Sequence, residues 1–156
     1  MRFQAEHRFA GPVEAVVALL ADPAFHRSLQ LPDVELLSLD DRDGHLRCRY
    51  RFVGSLDPIA RRLLAGRDLT WQQDLRVDPS GTGSLSFRAD ADPRKLHGSA
   101  SFAIEPKDGG SRRRLDGQLV VAVPLIGGRA ERSIVPGLLR RLDIEAEVLD
   151  ARLRAA

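Results

Sequence analysis

Cysteine, lysine and aromatic side chains are all scarce in these 156 residues, and each scarcity closes off a class of function. Cys48 stands alone and can make no internal disulfide, so the fold must hold through its own core; a reducing, cytoplasmic setting is the expectation. Lys95 and Lys107 are the only lysines. The 24 basic residues, nearly all Arg, are balanced by 22 acidic ones, leaving a net charge of +2 with both signs interspersed. Heavy Arg, Ala and Leu usage reads as the mark of a GC-rich genome rather than of a polyanion partner. One Trp and one Tyr make a poor stacking platform, so no nucleic-acid partner is expected. No apolar run approaches the roughly 20 residues of a membrane span, and residues 1–11 lack the apolar stretch of a signal peptide.

Metal and nucleophile patterns are missing too. His7, His26, His45, His97 and Cys48 show no paired ligand spacing, so neither a metal nor another cofactor is expected. The glycines of Gly81-Thr82-Gly83 and Gly109-Gly110 are turn residues, and neither pair precedes a helix as a phosphate loop must. Ser84, Ser86, Ser99 and Ser101 sit on strand-like segments without a partner base.

What the chain does contain is alternation. Hydrophobic content of 43% and charged content of 29% are globular values, and about 150 residues bury roughly 70% of their unfolded surface, enough for one domain spanning residues 1–156. From Arg2 to Phe9, Phe3, Ala5, His7 and Phe9 face one way and charged or amide residues the other, the mark of a half-buried strand. Gly11-Pro12 breaks it, and Val13, Val16, Val17 and Leu20 recur at helical spacing. Asp22-Pro23 opens a second short helix that Pro32 stops. Asp43-Gly44 then signals a hairpin between Val34–Asp41 and His45–Val53, where Leu46, Cys48, Tyr50 and Phe52 alternate with Arg47, Arg49 and Arg51. That arginine row is expected on the outer face, paired across strands with acids such as Asp74. Four further inward rows follow: Leu69 to Val77 through Trp71 and Gln73; Leu85 to Ala91 through Phe87 and Ala89; Leu96 to Ile104 through Gly98, Ala100 and Phe102; and Leu115 to Val123 through Gly117. A loop over Pro106–Gly110 separates the last two. Between two strands, Asp57-Pro58 caps a short amphipathic helix carrying Ile59, Leu63 and Leu64 among Arg61 and Arg62 and ending at Gly66.

The last stretch, Pro124 to Ala156, organises the rest. Val135, Leu138, Leu142, Ala146, Leu149 and Leu153 fall on one narrow helical face, with Arg140, Asp143, Glu147, Asp150 and Arg154 opposite. Such a helix is not stable alone, so a broad apolar surface must receive it. Pro136 costs about 3 kcal/mol inside a helix or kinks it; a bent continuous helix from about Gly128 is the expectation.

Strand, two short helices, a run of antiparallel strands and a long closing helix together resemble the helix-grip superfamily of START-like and birch-pollen-allergen-like proteins (SRPBCC). The passage Val123-Pro124-Leu125-Ile126-Gly127-Gly128-Arg129-Ala130-Glu131 is similar to that family's step from last strand into long helix, and Phe9 to Val16 to its first strand-to-helix turn. The resemblance is closest to a bacterial group without assigned function. It implies an α+β fold, a curved antiparallel sheet of about seven strands wrapped around the C-terminal helix. It also implies a lipid-, quinone- or polyketide-like ligand held between them, with cyclisation or dehydration catalysed there in a minority of members.

On this reading the ligand-binding candidates are the aromatic walls Tyr50, Phe52, Trp71, Phe87 and Phe102, and the small residues Ala89, Gly98, Ala100 and Gly117, whose size leaves room for a ligand or for tight packing. Leu138 and Leu142 join them from the helix, and His7, Gln73 and Glu131 as inward polar groups. No catalytic residue is assigned. Three functions stay open: a binder or carrier of a hydrophobic small molecule, a cyclase- or dehydratase-type enzyme using Tyr50, His7 or Glu131, and a protein-interaction module with a filled core. The chain is expected to be a monomer or weak dimer. The 58–65 helix is a candidate lid whose arginines would meet an anionic membrane transiently.

Overall fold

The computed structural model describes residues 1–42 and 44–156. Strand β1 (Arg2–Phe9) leads through helices α1 (Val13–Leu20) and α2 (Pro23–Ser28) into β2 (Val34–Arg42) and β3 (His45–Phe52). Helix α3 (Pro58–Leu64) follows, then β4 (Thr70–Val77), β5 (Thr82–Ala89), β6 (Leu96–Lys107), β7 (Gly110–Val121) and the 29-residue α4 (Gly127–Ala155). All seven strands form one antiparallel sheet in the order β1-β7-β6-β5-β4-β3-β2, so the last strand returns beside the first. The concave face receives α4, which is the helix-grip arrangement.

Local chemistry accounts for the elements. Both short proline-led helices carry the aspartate cap that their sequence promises: Asp22 accepts from the Ala24 N–H at 2.9 Å and Asp57 from the Ala60 N–H at 2.7 Å. Helix α3 ends at Ala65 and Gly66, both with positive φ. Gly44 has φ 78° in the hairpin between β2 and β3, while its neighbour Asp43 lies outside the described residues. The expected Pro106–Gly110 loop is shorter in the structure. β6 runs through Pro106 to Lys107, and Asp108-Gly109, with φ of 49° and 84°, makes a two-residue primed turn before β7.

The inward rows follow the predicted alternation within the strands, but Leu69, Ala91 and Val123 lie beyond strand ends and Ala91 is exposed; two further features appear. A bulge at Leu37 pushes that side chain out of β2. β7 begins five residues before Leu115, which turns Ser111 and Arg113 inward; both are buried. On the outer face, Arg47 donates to Asp74 at 2.9 Å, Arg49 to Asp90 at 2.6 Å and Arg51 to Glu35 at 2.5 Å, the expected cross-strand pairing.

Helix α4 is continuous through Pro136 and about 43 Å long at 1.5 Å per residue. Val135, Leu138, Leu142, Ala146 and Leu149 are buried, as the wheel requires. The helix rests on β1 and β7, with α1 against its flank, and not across the middle of the sheet. Its far end is held by Asp150, which accepts from the Ala10 N–H at 2.7 Å, and by Arg152 stacked over Phe25. Its start is held by Glu131, which accepts from the Val121 N–H at 2.9 Å.

Candidate functional site

Because α4 lies over β1 and β7, the concave face divides into two unequal halves. On the covered half, Phe3, Phe9, Ala100, Phe102, Leu115 and Leu119 are buried. On the half formed by β3, β4 and β5, Phe52, Trp71, Gln73 and Phe87 point inward yet remain partly exposed. Tyr50 is buried beneath them, stacked on Trp71 with centroids 5.7 Å apart. These side chains form a partly exposed aromatic wall on the inner face, next to Leu46, Cys48, Leu75, Val77 and Leu85 of the same strands, which are buried.

Of the two readings of the small residues, room or tight packing, the glycines show tight packing. A Cβ on Gly98 would strike the ring of Phe87, and one on Gly117 would lie 2.5 Å from Phe3 Cζ. Phe87 is the cross-strand partner of Gly98, and Phe3 of Gly117; Gly83 is covered in the same way by its partner Phe102. Each glycine is roofed by the phenylalanine across the ladder, which shields backbone and fills the gap. Ala100 lies against the space above Gly117, where an added Cβ would be 2.7 Å from its own. Gly98, Gly117, Ala100 and Phe102 are thus closely packed, in line with the tight-packing side of their reading. Ala89 is buried opposite Trp71. Leu138 and Leu142 pack into the core from α4.

His7 is a buried, hydrogen-bonded residue. Arg113 directs two guanidinium nitrogens at His7 Nδ1, 3.1 and 3.3 Å away, so Nδ1 must accept. The proton then sits on Nε2, which donates to Asp143 Oδ1 at 2.8 Å. Both ring nitrogens are committed. Burial, and the charge of Arg113 beside it, hold His7 below its usual 6.5 despite Asp143, so the ring is neutral at pH 7. Arg113 in turn donates to Glu145 at 2.7 Å and lies over the Phe9 ring. This four-residue network ties β1, β7 and α4 together, running from the buried Arg113 out to the exposed Asp143. Two of its members were not legible in the sequence: Arg113 hides within Arg112-Arg113-Arg114, and the wheel gives no place to Glu145; Asp143 lies on the exposed side, where the wheel sets it, and reaches His7 from there. The clue available was strand parity, since position 113 shares the phase of Leu115.

Glu131 is occupied at the start of α4 by the Val121 N–H, which lowers its pKa. Twelve residues separate it from Asp143, roughly 18 Å along the axis, so Glu131 and His7 do not form an acid–base pair. Burial pushes the Cys48 thiol up to about 11, and it raises the Tyr50 phenol as well. At neutral pH both are protonated and neither is a ready nucleophile. Among the described residues no group of three His, Cys, Asp or Glu is arranged to hold a metal, and no helix is long and apolar enough to cross a membrane.

Two surface hollows lie elsewhere, away from the aromatic wall. One of about 290 Å³ is bordered by Arg8, Lys107, Asp108 and Arg154 beside the β6–β7 turn, and one of about 670 Å³ lies on the outer face over Gln4, Glu6, Ser101 and Arg114.

Over residues 4–153 the chain matches the family described as "Protein of unknown function (DUF2505)". No curated protein matches the sequence. Solved structures share the fold. A protein from Thermus thermophilus, TTHA0849, superposes with a TM-score of 0.68 at 18% identity, over 99% of this chain and 98% of that one. The Zhui aromatase/cyclase from Streptomyces sp. R1128 gives 0.60 at 17% identity, over 97% and 92%. Ara h 8.0201 gives 0.64 at 11% identity, over 100% and 99%. At these identities the likeness is one of fold.

Proposed function

The chain belongs to the DUF2505 family, and from that premise and the geometry of its concave face we propose that it binds an apolar small molecule in the cleft between α4 and strands β3–β5. One observation carries the reading: Phe52, Trp71 and Phe87 face inward and stay partly exposed, because the helix covers the other half of the sheet. Concave surfaces lined by aromatic side chains with a few polar groups are the usual form of small-molecule sites. The ligand class is lipid-, quinone- or polyketide-like, and the protein acts as binder or carrier. That the Zhui aromatase/cyclase has this fold supports a small-molecule site in it. Ring-forming chemistry through His7 and Glu131 gains no support, since both side chains are spent on structural hydrogen bonds.

The ligand enters, in this proposal, at the end of the sheet where α3 and the β7–α4 connection lie. Leu63, Val53 and Leu125 are exposed there, and Leu125 stands fully in solvent with φ 69°. Arg61 and Arg62 flank Leu63, a composition suited to brief contact with an anionic membrane surface. The test is solvent extraction of the natively produced protein followed by mass spectrometry. An apolar molecule near one per chain is expected. A protein that carries nothing and takes up no neutral apolar dye would contradict the proposal.

A further inference from the structure

We propose that the cleft selects molecules with an anionic end, a carboxylate on an otherwise apolar body, and that Arg141 of α4 receives it; this rests on the cleft reading above. The other charges inside the sheet–helix layer are matched. Arg113 has Glu145 and His7, and Asp143 has His7. Arg141 makes no hydrogen bond or ion pair among the described residues: the charge of Asp33 reaches it, but no pair forms. Its nitrogens are nonetheless not sealed in, because the only fully enclosed, unbonded side-chain nitrogen among the described residues is Nε of Arg112. The guanidinium thus borders open space while burial holds its pKa below the usual arginine range.

Position along the helix explains where it points. Leu138 and Leu142 fix the buried stripe, and Arg141 lies on the flank of that stripe, one turn before Glu145. Gln73, opposite Cys48 and on the inner face, has a side-chain amide with no partner among the described residues. A half-desolvated guanidinium without an anion is costly, and a planar carboxylate matches its fork with two parallel hydrogen bonds. A neutral or cationic end group would leave that cost standing.

The experiment compares dodecanoate with dodecanol, equal in chain length and different in charge, by displacement of N-phenyl-1-naphthylamine. Wild type should hold dodecanoate about tenfold or more tighter. Arg141→Met should remove the preference, Arg141→Lys should keep part of it, and Arg140→Met, an exposed neighbour, should keep all of it. Should Arg141→Met fail to fold, Arg141→Gln must lose the preference in its place. Equal affinities in wild type, or a preference that survives loss of the Arg141 charge, would overturn the assignment while leaving the cleft intact. Failure of both molecules to bind would sink the cleft reading itself, and this inference with it.

Discussion

Removing the carboxylate of Glu145 would strand the Arg113 guanidinium in the interior with only a neutral imidazole beside it. Side-chain exposure at Arg113 is 3%, so water cannot replace the lost partner. Glu145→Ala should cost about 3–5 kcal/mol, read from urea unfolding, and Arg113→Leu combined with Glu145→Leu should cost clearly less than that. A second residue-scale expectation concerns Asp74. Burial alone would raise its pKa, but donation from Arg47, Gln72 and His45 outweighs this and sets the carboxyl at about 2. A carboxyl depressed on folding stabilises fully above its ordinary 3.8 and loses that stabilisation as pH falls toward 2. Asp74→Asn should therefore cost about 2 kcal/mol at pH 7 and flatten the acid limb between pH 4 and 2, measured by urea midpoints across pH. His7 works in the same direction from a higher starting point. Its lowered pKa means that stability declines once pH drops below the usual 6.5, as protonation forces a second cation against Arg113.

At the scale of elements, the three cross-strand phenylalanine–glycine pairs decide how the sheet packs. Gly117→Ala should destabilise by about 1–3 kcal/mol, because Phe3, Ala100 and the Ser99 carbonyl already occupy the place of a Cβ. A measured change near zero in thermal or chemical unfolding would mean that Phe3 swings away freely. Helix α3 carries a different expectation: Leu63→Asp should leave stability nearly unchanged, since the side chain is 45% exposed, yet weaken association with anionic vesicles and slow ligand exchange. Much at this scale was readable beforehand. Aspartate–proline starts placed α2 and α3, period-two rows placed β1 and β3, and the 3.6-residue stripe identified the buried face of α4. Three things resisted. Arg113 looked like surface because charge outweighs phase in a run of three arginines. The glycines read equally as space or as tight packing because alternation shows which face a residue takes and not which ring from the neighbouring strand lies over it. The sideways seat of α4 on β1 and β7 depends on register and sheet curvature, which no periodicity encodes.

Taken as a whole, the molecule is a sheet gripped around one helix, fastened along one side and at both helix ends. Glu131 fastens the start, Asp150 and Arg152 the far end, and the His7–Arg113–Asp143–Glu145 network the middle. None of these ties reaches β3, β4 or β5, whose aromatic wall stays partly exposed on the inner face. Trp71, the single tryptophan of the chain, stands in that wall, and all tryptophan emission reports on it. The most direct measurement is therefore energy transfer from Trp71 to N-phenyl-1-naphthylamine during titration of the folded protein. The account predicts transfer that saturates at one dye per chain and is reversed by dodecanoate. Emission from Trp71 that never changes, or dye uptake that climbs without saturating, would contradict it.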